Sequence, residues 1–212
     1  MTGKIKLVHS GGNAVSLAVP TSNPSSSEVE LKLPQSDGSA DTFLKTDGSG
    51  NLSFAAVGGI TMADQWRITT TFQVSSQAFI TSNWERNDSD GYGKIGTGMS
   101  ESSGVFSFPS TGIYLVRIVI NWYADGGGVN YNRVSIHSTI DNSSYSPRAF
   151  SYQGVESSGQ NGNMLAEILF DVTDVSTHKV KFEMLGSNTR PRVSGSTTYN
   201  LSFATFIRLG DT

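Results

Sequence analysis

The stretch Gly104–Tyr123 reads GVFSFPSTGIYLVRIVINWY, and its pattern decides the fold class. A Pro-Ser-Thr-Gly turn ends at Gly112, and a segment with a strict two-residue period follows it. From Tyr114 to Trp122 every even position is apolar or aromatic, whereas Arg117 lies among the odd positions. Because successive side chains of a strand point to opposite faces, the pattern predicts a β-strand with one buried face and one partly solvated face.

The same alternation recurs in the later part of the chain, and none of it has the period of an amphipathic helix. Further strand segments are predicted at Trp66–Val74, Gln77–Trp84, Arg133–Asp141, Ala149–Gln153, Asn161–Thr173, Lys179–Leu185 and Tyr199–Leu209. In the last of these, we expect one shared face to carry Tyr199, Leu201, Phe203, Ile207 and Leu209. About eight strands joined by turn-rich loops predict an all-β, antiparallel jelly-roll sandwich.

The bulk composition excludes several classes of function. Of the 212 residues, 16% are charged, the net charge is −3 and there is no cysteine. A weakly acidic chain gives no electrostatic reason to expect binding to nucleic acid or to an acidic membrane. The missing cysteines exclude disulfides, thiolate nucleophiles and cysteine-ligated zinc. No apolar run is long enough for a signal peptide or a membrane span, so we expect synthesis in a cytoplasm.

Residues 1–57 differ from the rest and are predicted to form a separate domain, with residues 58–212 as the second. Short strand-like runs occur at Lys4–Val8, Val15–Val19, Val29–Leu33 and Asn51–Val57. A segment with so few large apolar residues cannot bury enough surface to fold alone. We therefore expect other chains to order it, either further copies of itself or a docking partner.

The region from about Ile60 to Gly210 resembles the jelly-roll superfamily of tumour necrosis factor and of the globular heads of complement's collagen-tailed recognition molecule. The features that carry the resemblance are the core signature Phe106, Gly112 and Tyr114, the late strand beginning Phe170-Asp-Val-Thr, and the apolar closing strand Leu201–Leu209. The resemblance implies a homotrimer with the termini of the domain near its base.

The first domain resembles the N-terminal segments of tailed-phage virion proteins, marine ones especially. The matching runs are VSLAVPTSNP at 15–24, LKLP at 31–34 and LKTDGSGNL at 44–52. This resemblance implies a virion protein that forms a fibre, spike or capsid appendage. Residues 1–57 would then be an anchoring stalk that binds other virion proteins, and the head would adhere to the host surface.

Two other functions remain open at this stage. A secreted globular-head lectin or ligand would need a secretion route and its own stalk. A small hydrolase on a jelly-roll scaffold would need a metal or a carboxylate pair.

No catalytic, cofactor-binding or metal-binding residue is predicted, and we expect a protein that is not an enzyme. His9, His137 and His178 have no second histidine or carboxylate at the spacing of a metal site or a triad, which favours packed or surface histidines. The loop Asp88–Gly91 is rich in oxygen atoms. It lacks the spacing of an EF-hand, because Arg86 stands where the first aspartate should be, so a solvated turn is favoured.

Aromatic residues near predicted loops are the candidates for surface recognition, and they are Trp84, Tyr92, Tyr123, Tyr131, Tyr145 and Tyr152. Aromatic and polar loops on a rigid sandwich suit the recognition of a glycan or a protein. The alternative is that several of these rings fill the trimer interface.

Overall fold

The structure is a computed structural model of the chain, and it describes residues 4–18, 20–22, 24–25, 28–56, 58–87 and 90–212. The chain divides into two compact units, Met1–Gly59 and Ile60–Thr212. We call them the N-terminal unit and the head. Among the described residues, the whole buried hydrophobic core belongs to the head. The anchoring role of the N-terminal unit stays a prediction.

Two antiparallel hairpins make up the strands described in the N-terminal unit: β1 (Lys4–Val8) with β2 (Ala14–Ala18), and β3 (Thr42–Thr46) with β4 (Leu52–Ala56). The predicted strand Val29–Leu33 is wrong, since this stretch makes only a single bridge from Lys32 to Asn51. Its apolar side chains are exposed, so nothing covers the face that a strand would bury. Val19 and Val57, which end two of the predicted strands, lie outside the described residues.

The strands of the head are β5 (Ala63–Ile68), β6 (Phe72–Gln73), β7 (Ala78–Phe79), β8 (Trp84–Arg86), β9 (Ser100–Ser102), β10 (Val105–Ser107), β11 (Gly112–Ala124), β12 (Val129–Thr139), β13 (Ser146–Val155), β14 (Asn161–Val172), β15 (Lys179–Gly186), β16 (Pro191–Val193) and β17 (Phe203–Gly210). They form two antiparallel sheets. The β11 sheet has the order β6-β16-β11-β17-β5-β8, with β14 on the other edge of β11. The β12 sheet has the order β13-β12-β15-β10-β9, with β7 also beside β15. No helix long and apolar enough to cross a membrane occurs in the described part of the chain.

The strand predicted after the Pro-Ser-Thr-Gly turn is confirmed as β11, and its alternation is complete. Every even residue from Tyr114 to Trp122 is fully buried, and every odd residue is half-buried. β14 pairs with β11 along its whole length, whereas β17 and β16 share the other edge. The even face of β11 therefore contributes the centre of the core.

An aromatic cluster around Phe106 fills the core between the sheets. Its ring centroid lies 5.1 Å from that of Trp84, 5.5 Å from Phe182, 5.1 Å from Phe206 and 5.7 Å from Trp66. The contacts with both tryptophans are edge-to-face, an arrangement that adds to the free energy gained from burial. Phe106 is therefore enclosed by aromatic rings on several sides and is fully buried.

The other two signature residues also have structural roles. Gly112 has φ near +140°, and a Cβ there would lie 2.5 Å from the Gly210 carbonyl oxygen and 2.5 Å from Arg208 Nε. Only glycine fits this position without a shift of backbone. Tyr114 is buried, and its hydroxyl donates to the Ser110 carbonyl oxygen at 2.9 Å, which fastens the turn onto β11.

Two predicted strands are shorter than expected. Trp66–Val74 does not continue as one strand: β5 ends at Ile68, and only Phe72 and Gln73 form a strand again, as β6 beside β16. β12 ends at Thr139, where the Asp141 carboxylate accepts bonds from the following turn. The alternation of Arg133–Asp141 predicts Ile140 on the same face as Val134 and Ile136, but Ile140 lies beyond the end of the strand and is exposed. The predicted segment Gln77–Trp84 is likewise replaced by the short strands β7 and β8.

The closing strand was predicted to begin at Tyr199 but begins at Phe203. Phe203, Ile207 and Leu209 do share a face, as expected. However, the buried residues of β17 are the alternate ones, Ala204 and Phe206. The longer apolar run thus lies on the outside of the β11 sheet.

Candidate binding surfaces of the head

Three aromatic rings lie together on the outer face of β12 and β13, and we call Tyr131, Phe150 and Tyr152 the aromatic patch. The ring centroids of Tyr131 and Tyr152 are 6.2 Å apart, as are those of Phe150 and Tyr152. The three residues are 42%, 47% and 58% exposed. Two of the six aromatic residues predicted for recognition, Tyr131 and Tyr152, are therefore brought together.

A β-bulge in β12 brings Tyr131 onto this face. Two residues of β12, Asn130 and Tyr131, lie opposite the single residue Gly154 of β13. Val129 and Val134 are both buried although they are five positions apart, so the bulge shifts the alternation of the strand by one residue. A Cβ on Gly154 would lie 2.2 Å from the Asn130 carbonyl oxygen. The sequence gives little sign of this bulge, because Gly154 reads as an ordinary strand end.

A buried polar cluster supports the patch. The Arg133 guanidinium lies 5.0 Å from the centroid of the Phe150 ring and donates to Glu183 Oε1 on β15. Glu183 also accepts hydrogen bonds from Gln77 Nε2 at 3.0 Å and from Ser135 Oγ at 3.2 Å. The strand pattern predicts Glu183 on the solvated face with the neighbouring lysines. It does lie on that face, but it is only 5% exposed, because it is flanked in the sheet by Ser135 of β12 and Phe79 of β7 and is hydrogen-bonded by Gln77.

His137 completes this cluster. Its Nε2 lies 3.2 Å from Ser135 Oγ and 3.5 Å from Glu183 Oε1, and its ring centroid is 5.0 Å from that of Phe79. Its Nδ1 is buried and has no hydrogen-bond partner among the described residues. Burial lowers the pKa of His137, and the Glu183 charge offsets this only in part. Burial would raise the pKa of Glu183, but the bond from Gln77 and the charges of His137 and Arg133 lower it overall.

The cluster does not have the geometry of a catalytic triad. A triad carboxylate holds the imidazole nitrogen that faces away from the nucleophile. Here Ser135 and Glu183 both approach the same nitrogen of His137, and Ser135 is fully buried. Within the described residues no group of three or more histidine, aspartate or glutamate side chains could hold a metal ion. Asp88 and Ser89 of the predicted loop lie outside the described residues.

The remaining aromatic candidates do not join the patch. Trp84 differs from the expectation, because its ring packs against the core and its Nε1 donates to the Ile80 carbonyl oxygen at 3.0 Å. Tyr145 lies under the Lys181 ammonium, which is 4.1 Å from its ring centroid. Tyr92, in the loop between β8 and β9, and Tyr123, near the end of β11, are half-buried.

The outer face of the β11 sheet is a second candidate surface. Leu115 of β11 lies directly between Leu169 of β14 and Ile207 of β17. Four residues further along, Val119 lies between Leu165 and Phe203 in the same way. We call these six residues the apolar face. Leu165 is 46% exposed and Leu169 is 66% exposed.

A single ion pair separates the two rows of the apolar face. Arg117 donates from Nε and Nη2 to Glu167 Oε2 at 2.9 and 2.7 Å. Both side chains are a little less than half exposed, at 42% and 45%. The two charges of this ion pair are therefore matched within one chain.

Solved structures with a similar fold identify the fold of the head. No model of a protein family and no curated protein sequence matches the chain. Eiger TNF from S. frugiperda is similar in structure, with a TM-score of 0.55 and 15% identity over 73% of this chain and 96% of that chain. Murine APRIL gives a TM-score of 0.50 and 11% identity over 70% and 98% of the two chains. The predicted all-β jelly roll is confirmed, and the head has the fold of tumour necrosis factor proteins.

Proposed function

We propose that the chain is a homotrimeric binding protein of the ligand or lectin type. Its heads associate through the apolar face of the β11 sheet, and each head contacts a partner through the aromatic patch. The apolar face is the observation that carries the proposal. The homotrimer is also what the family resemblance implies.

An antiparallel sheet that faces water on one side normally alternates apolar residues inward with polar residues outward. β14 departs from this rule, because its outward positions include the exposed Leu165 and Leu169. A patch formed with Leu115 and Val119 of β11 is of the kind that marks a protein interface. Further copies of the head cover it, and three copies together turn weak single contacts into strong binding.

The aromatic patch suits a partner with a flat, uncharged surface. Tyr131 and Tyr152 combine an apolar ring with a hydroxyl that can donate and accept hydrogen bonds. The charge of Arg133 beside them is matched by Glu183. These properties favour the ring face of a neutral sugar or an apolar peptide over a charged ligand.

We also propose that the protein is a structural component of a phage particle. It is supported by the resemblance of residues 1–57 to virion proteins, whereas the structural comparisons favour the function of a binding head without reference to a particle. Mass spectrometry of purified phage particles tests this location. A chain that occurs only free in the medium would favour the secreted ligand instead.

The binding function is tested by screening the full-length protein against an array of glycans and of host-surface proteins. The Tyr152→Ala variant should lose at least about tenfold in affinity for any partner found, the loss expected for one stacked ring at a binding hot spot. Tyr199→Ala removes an exposed tyrosine outside the patch and is the matched control. Equal binding by both variants would contradict the role of the patch.

A further inference from the structure

We propose that the β1–β2 hairpin packs through one apolar face against the same hairpin of other copies of this chain. The N-terminal units of the copies would then share one small apolar core. The proposal rests on the homotrimer proposed above and adds a second contact between its chains. It identifies what the N-terminal unit binds, which is the N-terminal unit of its neighbours.

The hairpin has one apolar face that nothing in the described structure covers. Ile5 lies directly opposite Leu17 in the antiparallel register, and Leu7 follows on the same face. The three side chains are 66%, 72% and 68% exposed. Lys6, between the two residues of β1, points to the other face. Large aliphatic side chains on one side of a ribbon are typical of a surface that is buried in the assembled protein.

The N-terminal unit has no core of its own to support this hairpin. None of its described side chains belongs to the buried hydrophobic core. The second hairpin repeats the arrangement, because Leu44 lies directly opposite Phe54 and both are exposed, at 49% and 41%. An isolated two-stranded hairpin is marginally stable at best in water. Another chain that covers these faces would supply the burial that the two hairpins lack.

Two features favour further copies of this chain as the partner that binds the hairpin face. They are the small net charge of the unit and its direct connection to the head. The unit carries four lysines and five acidic residues, so three units together repel one another only weakly. Each unit is joined directly to a head at Gly59–Ile60. When three heads associate, the units are held at an effective concentration of the order of millimolar, which suffices for a weak apolar contact.

The chain has no cysteine, so a single introduced cysteine reports this contact without interference. Full-length Leu7→Cys and Lys6→Cys place thiols on opposite faces of the same strand and are a matched pair. Leu17→Cys is a second variant on the apolar face. Each is oxidised at low protein concentration, the covalent dimer is measured on a non-reducing gel, and light scattering gives the mass of the same sample before oxidation.

We expect Leu7→Cys and Leu17→Cys to form the covalent dimer at least about tenfold faster than Lys6→Cys, at a rate independent of protein concentration, as for an intramolecular reaction. Equal rates, or no dimer in a sample of trimeric mass, would overturn the hairpin contact, leave the homotrimer standing and assign the face to a different protein. A monomeric mass for the unmodified chain would overturn the homotrimer, and the hairpin contact with it.

Discussion

Arg117 and Glu167 face each other across β11 and β14, with two hydrogen bonds from one guanidinium to one carboxylate oxygen. The two rows of the apolar face lie on either side of this ion pair. The energetic contribution of such a pair depends on its surroundings. An exposed pair contributes about 0.2–1 kcal/mol, whereas loss of one partner of a buried pair costs about 3–5 kcal/mol. The loss of free energy when one partner of this pair is removed therefore shows whether the apolar face is buried by another chain.

Replacing Glu167 with alanine should weaken the proposed homotrimer strongly. In the assembled protein this substitution leaves the Arg117 guanidinium covered and unpaired, so we expect a loss of about 3–5 kcal/mol in the free energy of association. In the dissociated chain the loss in the free energy of unfolding should be about 1 kcal/mol or less. Sedimentation measured over a range of concentrations gives the first quantity, and urea unfolding of the dilute chain gives the second.

A second ion pair of the head, outside the apolar face, is the control for this prediction. Asp125 accepts from Arg192 Nε at 2.5 Å, and the two side chains are 50% and 34% exposed. Asp125→Ala should leave association unchanged. If the two substitutions weaken association equally, the apolar face is not the surface that the copies share.

The stability of the head should fall as the pH is lowered through the range in which histidine titrates. Burial lowers the pKa of His137 from its usual value of 6.5, so the unfolded chain takes up the proton more readily than the folded head. The stabilisation from neutral His137 is complete above pH 6.5 and is lost progressively below it. The groups around the ring are Glu183, Arg133 and Ser135, with Lys181 opposite on β15.

The measurement is the free energy of unfolding in urea at about pH 7.5 and about pH 5, compared between the unmodified chain and His137→Gln. The variant keeps a polar group at this position but cannot titrate, so its stability should decline less between the two values. His9→Gln, which removes an exposed histidine of the N-terminal unit, is the control for the loss of a histidine outside the head. An equal decline in His137→Gln would show that His137 does not set the pH dependence.

The centre of the fold could be predicted from the sequence because the alternation in β11 and β14 is regular and the strands are long. In β11 the face that enters the core followed from the period, as for Tyr114 and Trp122, whereas in β17 the longer apolar run lies on the outer face. The edges of the sheets could not be predicted in the same way. Short strands such as β7 have too few residues to show a period, and their positions depend on neighbours such as Met184 of β15.

The aromatic patch could be predicted only in part. Tyr131 and Tyr152 stand near loops in the sequence, but the bulge opposite Gly154 and the register of β12 with β13 decide that they meet. Phe150 was missed, since an aromatic residue in a short apolar run reads as core. The burial of Glu183 was missed because its neighbour Gln77, before β7, is 106 residues away in the chain, and a strand pattern carries no signal for such a contact.

The solution mass of the full-length protein, measured by light scattering, tests the homotrimer most directly. Three chains of 22.7 kDa give about 68 kDa, and we expect this mass for the unmodified protein. Leu169→Asp places a charge at the β14 end of one row of the apolar face, where Leu169 is already exposed, and should give a folded chain of 22.7 kDa. A mass of 22.7 kDa for the unmodified protein, or an unchanged trimer in the variant, would contradict association through this face.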